Sequence, residues 1–169
     1  MPIQQLNHAV LYVRDVAKSV AFYTDVLGFR VVNSMPGAAF VQAPASTNDH
    51  DLGLFEIGPA AGPSLAGRAT VGLYHLAWEV DTLAELERLS GVLAANGALV
   101  GASDHGTTKS LYAHDPDGLE FEVVWLVPAA LLTEEVLAAR SGIRPLDLAA
   151  EKQRYGGQTR GGLGVSIPV

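Results

Sequence analysis

His8 and His75 stand at matching positions in two halves of one chain. Aligning LNHAVLYVRDVAKSVAFYTDVLGFRVV (Leu6 to Val32) with LYHLAWEVDTLAELERLSGVLAANGALV (Leu73 to Val100) puts a histidine at the third residue of an apolar strand. An aspartate-led amphipathic helix and a glycine follow in both. The second half adds DPDGLEFEVVW, which sets Glu122 on a strand. Two imidazoles and one carboxylate are the donor set of a facial triad, a ligand pattern that suits Fe(II) and leaves coordination positions open. A single inward histidine reads as a hydrogen-bonded core residue, but the repeat and Glu122 turn the reading of His8 and His75 toward metal. Glu120 lies on the same strand face as Glu122 and competes with it. The four-residue offset from Gly118 favours Glu122.

The elements that must hold these residues follow from local pattern. Leu6 to Val13 and Leu73 to Val80 are rich in β-branched and aromatic residues and read as strands. Alternation groups His8 with Leu6 and Val10, and His75 with Leu73 and Ala77, so both histidines are expected to point inward. Asp15 is a suitable N-cap for a helix running to Leu27, with Val16, Val20, Tyr23 and Leu27 on one face and Gly28 as its stop. Thr82 and Glu85 have capping-box spacing for a second helix, which carries Leu83, Leu86 and Leu93 and ends at Asn96-Gly97. Short strand-like runs follow each helix: FRVV, AAFVQA and DLGLFEI, then GALVG, KSLYAH and LEFEVVWL. The order β-α-β-β-β is therefore used twice, which makes the chain α+β. Gly58 to Thr70, rich in Gly, Pro and Ala, suits a linker or a loop over a site.

The repeat ends near Val127. TEEVLAARSG reads as a short helix with Thr133 as cap and Gly142 as stop, and a second short helix fits Pro145 to Gln153. The glycine-rich tail lacks a lysine-containing phosphate loop and is expected to be mobile or a dimer contact.

Composition limits the partners. The chain has 169 residues, net charge −7 and only 11 Lys and Arg, which argues against a phosphate-binding surface and hence against nucleic acid. With no cysteine, any metal must use nitrogen and oxygen donors, and a reducing cytoplasm is expected. The N-terminus has no signal-peptide pattern, and the longest apolar stretch, VVWLVPAALL, is too short to span a bilayer, so no membrane partner is expected.

The duplicated unit, with histidine on the first strand of each half and DPDG-x-x-x-Glu on the last, resembles the vicinal oxygen chelate superfamily over roughly Pro2 to Val127. The resemblance implies two β-α-β-β-β repeats, about 4–58 and 71–127, pairing into one module over 1–128, with 129–169 a short helical or flexible C-terminal extension. Its members include extradiol dioxygenases, glyoxalase I, fosfomycin-modifying transferases, epimerases and metal-free drug-binding proteins, so fold alone does not set the reaction. In the glyoxalase and epimerase branches the first half supplies a fourth ligand. Here that position falls on Gly53, which cannot coordinate, and Glu56 lies three residues later on the opposite face. Three further residues are similar to those of the extradiol branch: His50 as acid/base, Tyr112 as hydrogen-bond donor to a substrate oxygen, and His105 lining the pocket. Read singly, His50 is equally a turn residue, and Tyr112 a core aromatic with a satisfied hydroxyl.

The resemblance thus implies a non-haem Fe(II) extradiol dioxygenase, with Mn(II) the other possible ion. Its ligands are His8, His75 and Glu122, and its substrates a small aromatic vicinal diol and O2. Many extradiol enzymes carry two such modules and this chain carries one, so a homodimer or higher homo-oligomer is expected to complete the pocket walls. The alternatives are a metal-dependent lyase, transferase or epimerase, and a non-enzymatic drug-binding protein.

Overall fold

The computed structural model describes residues 2–3, 5–66 and 69–162. Most of the tail expected to be mobile, 163–169, lies outside the described residues. Two compact units emerge: Met1–Leu65 with Asp115–Leu119, and Ala66–His114 with Glu120–Val169.

The first unit runs β1 (Ala9–Val13), α1 (Val16–Ala21), a π-helical turn (Phe22–Val26), β2 (Arg30–Met35), β3 (Ala38–Gln42) and β4 (Leu52–Glu56). Its sheet has the order β1-β4-β3-β2, with β1 and β4 parallel and the other pairs antiparallel. Asp15 caps α1 by accepting from Lys18 N at 3.0 Å, and Glu56 Oε2 accepts from Val16 N at 3.0 Å. One regular helix from Asp15 to Leu27 was expected. A π turn over Phe22–Val26 interrupts it, and the buried residues of the segment are Ser19, Tyr23 and Val26. Gly28, at φ 77°, ends the segment as expected.

The second unit runs β5 (Leu76–Glu79), α2 (Leu83–Ala95), β6 (Leu99–Asp104), β7 (Thr108–His114), β8 (Glu120–Leu126), α3 (Glu134–Ala138), β9 (Arg144–Pro145) and α4 (Leu148–Tyr155). The sheet order is β5-β8-β7-β6-β9, with β5 and β8 parallel. Thr82 Oγ1 accepts from Glu85 N at 3.2 Å, and α2 buries Leu83, Leu86, Leu89 and Leu93 at helical spacing. The sheet residues Leu111, Ala113, Phe121, Val123 and Trp125 are buried with them. Thr133 caps α3 and Asp147 caps α4. The C-terminal segment belongs to this unit. Its strand β9 pairs with the edge strand β6, and Trp125 Nε1 donates to the carbonyls of Asp81 and Thr159, both at 3.3 Å. Among the described residues no helix is long and apolar enough to cross a membrane.

Two expectations about the histidines are corrected. The first strands are shorter than Leu6 to Val13 and Leu73 to Val80, so His8 and His75 each sit one residue before a strand. Ladder pairing begins only where a partner exists, at Ala9 opposite Leu52 and at Leu76 opposite Phe121. Nor does the His8 side of β1 point into the core. Leu11 and Val13 are buried, whereas His8, Val10 and Tyr12 are exposed. His75 is half-buried, with Leu73 and Ala77 exposed. In each unit the residues of the histidine side alternate with those that form the apolar core, so the histidines lie on the open side.

Candidate functional site

The richest chemistry in the second unit lies on the open face of β7 and β8. Phe121, Val123 and Trp125 of β8 are buried, which sends Glu120 and Glu122 to the other face. Register pairs Tyr112 with Glu122 and His114 with Glu120, while Ala77 of β5 is opposite Glu122 on its other side. This brings His75 to both carboxylates. His75 Nε2 is 3.2 Å from Glu122 Oε2, and His75 Nδ1 is 3.6 Å from Glu120 Oε1. His114 Nε2 is 3.8 Å from the second oxygen of Glu120.

Tyr112 lies beside this group, its ring centroid 5.9 Å from that of His75. Its hydroxyl is 2.9 Å from His105 Nε2, which reaches it from the β6–β7 turn. Burial, and then the negative charge of Glu122, push the Tyr112 hydroxyl above its ordinary pKa. It therefore stays a proton donor throughout the neutral range.

One pair of donors, His75 and Glu122, has the spacing of neighbouring ligands on a divalent ion. Adjacent ligand atoms at about 2.1 Å from one ion, at right angles, are about 3.0 Å apart. The Nε2–Oε2 separation of 3.2 Å is close to that. Without a cation the same pair places a carboxylate against an imidazole flanked by a second carboxylate. Among the described residues no three such donors gather about one point.

The first unit holds the other two expected residues. The His8 and His50 rings lie with centroids 4.5 Å apart, and Phe40 meets His50 edge-on at 5.0 Å. Asn7 Oδ1 is 2.8 Å from His8 Nδ1, and Asp49 Oδ2 is 2.8 Å from His50 Nδ1. Each oxygen can accept an Nδ1 proton and leave Nε2 as the free ring nitrogen. Gly53 pairs with Val10 and Phe40, and a Cβ there would meet ring carbons of Phe55 and Phe40 at 3.3 and 3.4 Å.

One feature escaped the sequence reading. In the sequence the DPDG segment served to place Glu122 and to carry the resemblance, yet Asp117 forms an ion pair with Arg14, Oδ1 to Nη1, at 2.7 Å and also accepts from Arg14 N at 3.1 Å. Arg14 Nε donates to Ala61 O at 2.9 Å, tying Ala61 to the end of β1. Beside them is a cavity of about 290 Å³, lined among others by Val10, Tyr12, Ile57 and Leu119. No local pattern joins Arg14 to a residue 103 positions away.

Comparison with known proteins gives this arrangement its context. A family profile described as the Glyoxalase/Bleomycin resistance protein/Dioxygenase superfamily matches residues 5–123. The chain is similar to "Catechol-2,3-dioxygenase" of Bacillus subtilis (strain 168), 31% identical over 118 residues that make up 70% of this chain and 40% of that protein. It is also similar to "Biphenyl-2,3-diol 1,2-dioxygenase 3" of Rhodococcus globerulus, 37% identical over 117 residues, 68% of this chain and 59% of that protein. The chain spans about half the length of these curated relatives. A solved structure of lactoylglutathione lyase from Agrobacterium tumefaciens matches with a TM-score of 0.54 and 25% identity, covering 73% of this chain and 95% of that one. The profile extends over well more than half of the chain, through both copies of the β-α-β-β-β order. The fold is the α+β vicinal oxygen chelate fold, and the chain belongs to the glyoxalase/bleomycin resistance protein/dioxygenase superfamily.

Proposed function

We propose that the protein is a non-haem Fe(II)-dependent extradiol ring-cleaving dioxygenase acting on a catechol-like vicinal diol and O2, with Mn(II) as the other usable ion. The observation that carries this reading is Tyr112, which stands opposite Glu122 in the ladder and is hydrogen-bonded to His105. A hydroxyl kept protonated beside a ligand carboxylate is suited to donate to an oxygen of a bound diol. The names of the two dioxygenase relatives support the same substrate class.

In this proposal His8, His75 and Glu122 would supply the three protein ligands. Bound iron contributes the redox centre that lets a singlet diol react with triplet O2. Tyr112 orients the diol through its hydroxyl, and His105 holds that hydroxyl from the far side. His50, its ring beside that of His8, takes a proton from the diol and returns one later in the cycle, the shuttle role of an imidazole.

A metal-dependent lyase is the second reading, favoured by the 95% coverage of the lactoylglutathione lyase structure. Gly53 speaks against it, because the fourth-ligand position has no side chain and its space is taken by Phe40 and Phe55.

Oxygen uptake by protein reconstituted anaerobically with Fe(II), across a panel of catechols, tests the proposal. Uptake with a yellow ring-opened product is expected, and His50→Phe should keep the metal and lose turnover. Silence across the panel with iron bound would overturn the dioxygenase assignment and favour the lyase.

A further inference from the structure

We infer that Glu120 is a positioning residue for His75: its carboxylate accepts the Nδ1 proton and so aims the Nε2 lone pair at the side where Glu122 lies. The inference rests on the metal-site reading above and deepens it.

Two buried atoms without hydrogen-bond partners carry the argument. His75 Nδ1 and Glu120 Oε1 are both inaccessible to water and unpartnered, yet they lie 3.6 Å apart. Buried polar atoms are nearly always paired, so a donor and an acceptor left at this distance point to a hydrogen bond that forms in another state of the site.

A neutral imidazole carries one N–H, and His75 has a carboxylate at each nitrogen: Glu122 at Nε2 and Glu120 at Nδ1. With the proton on Nε2, the Nδ1 lone pair faces the Glu120 oxygen. With the proton on Nδ1, the Nε2 lone pair faces Glu122 instead. A cation held by His75 and Glu122 would relieve the second repulsion and leave Nδ1–H to Glu120. Carboxylate–imidazole–metal relays of this kind hold ligand histidines in one tautomer and orientation.

Strand geometry separates the two carboxylates into two roles. Glu120 and Glu122 lie two residues apart on one face of β8 and so bracket the ring of His75. His114, in register with Glu120, stands 3.8 Å from its other oxygen and offers it a second anchor. In the sequence Glu120 was a rival ligand to Glu122; here it addresses the opposite nitrogen.

The test uses the full chain with Mn(II) for affinity and Zn(II), which is diamagnetic, for nitrogen NMR of 15N-histidine protein. Zinc-loaded wild type should show His75 protonated at Nδ1 and metal-bound at Nε2. Glu120→Leu should weaken Mn(II) binding about 10–100-fold, the usual effect of losing an outer carboxylate partner. Glu120→Gln, which keeps an accepting oxygen, should restore most of the affinity and the Nδ1–H signature. Metal bound through Nδ1 in the wild type would overturn the inference without any variant. So would unchanged affinity in a folded Glu120→Leu, or complete loss in Glu120→Gln, which would make Glu120 a ligand. Failure of the wild type to bind either ion would overturn the metal-site reading along with it.

Discussion

The second unit contains two clusters of ionisable side chains that differ in one respect. Around Lys109 the charges balance. Its ammonium, 1% exposed, pairs with Asp104 and with Glu151 at 2.9 Å, and Arg144 Nη2 meets the second oxygen of Asp104 at 2.8 Å. Around His75 the ion-pair partners of two carboxylates are histidines alone, and a buried donor and acceptor are left unpaired. The first cluster joins β6 and β7 to β9 and α4, and its ammonium and guanidinium charges offset its two carboxylates. The second is short of positive charge. A buried group whose charges close within the protein reads as structural, and one whose carboxylates meet only histidines is a candidate ligand site.

That contrast can be broken most forcefully at Lys109. Lys109→Met leaves Asp104 and Glu151 without their shared cation, and should cost about 3–5 kcal/mol of stability in urea unfolding. If it costs nothing, the cluster is not the lock described here.

The opposite outcome is expected at the other cluster. Glu122→Ala removes one of the two carboxylates that crowd the His75 ring, so the thermal midpoint of the metal-free protein should hold or rise. The stabilisation by added Mn(II), about 2.7 kcal/mol for wild type at an ion concentration 100-fold above Kd, should vanish. His75→Ala should lose the same ion-dependent shift. A variant at either position that still gained stability from the ion would remove that residue from the ligand set.

Tyr112→Phe sharpens the comparison by sparing charge. It should leave ion binding unchanged and lower kcat/KM about 10–100-fold, the equivalent of one hydrogen bond to a charged oxygen. Loss of ion binding instead would move Tyr112 from the substrate to the metal.

The smallest expected effect is on pH. Burial would raise the Asp104 carboxyl, but the hydrogen bonds from Lys109 and the Gly106 amide, with the charges of Lys109 and Arg144, outweigh it and hold the pKa below the usual value. A carboxylate depressed in the folded state contributes stability above its unfolded pKa of about 3.9, lost as pH falls through the folded value. Urea unfolding from pH 5 downward should therefore show a fall in stability below about pH 4 that Asp104→Asn flattens.

Much of the architecture could be read locally. The Thr82 cap, the leucine spacing of α2 and the glycine stops are effects within one turn of chain, and the structure keeps them. The regular helix expected over Asp15 to Leu27 did not survive, because a π turn is a packing adjustment and leaves no mark on a periodicity count. The inward histidines failed for a related reason. Alternation separates the two faces of a strand but does not say which one lies on the core, and in β1 the exposed Val10 and Tyr12 are as apolar as the buried Leu11 and Val13.

The sequence alone determined the twofold β-α-β-β-β order and the residue types available for chemistry, because repeats, caps and hydrophobic period are properties of neighbouring residues. Only the tertiary structure decided which carboxylate meets which nitrogen of His75, and that Tyr112 pairs with Glu122 and His105. Those relations depend on strand register, set by ladders between segments far apart in the chain, where a shift of one residue would turn Glu120 and Glu122 into the core.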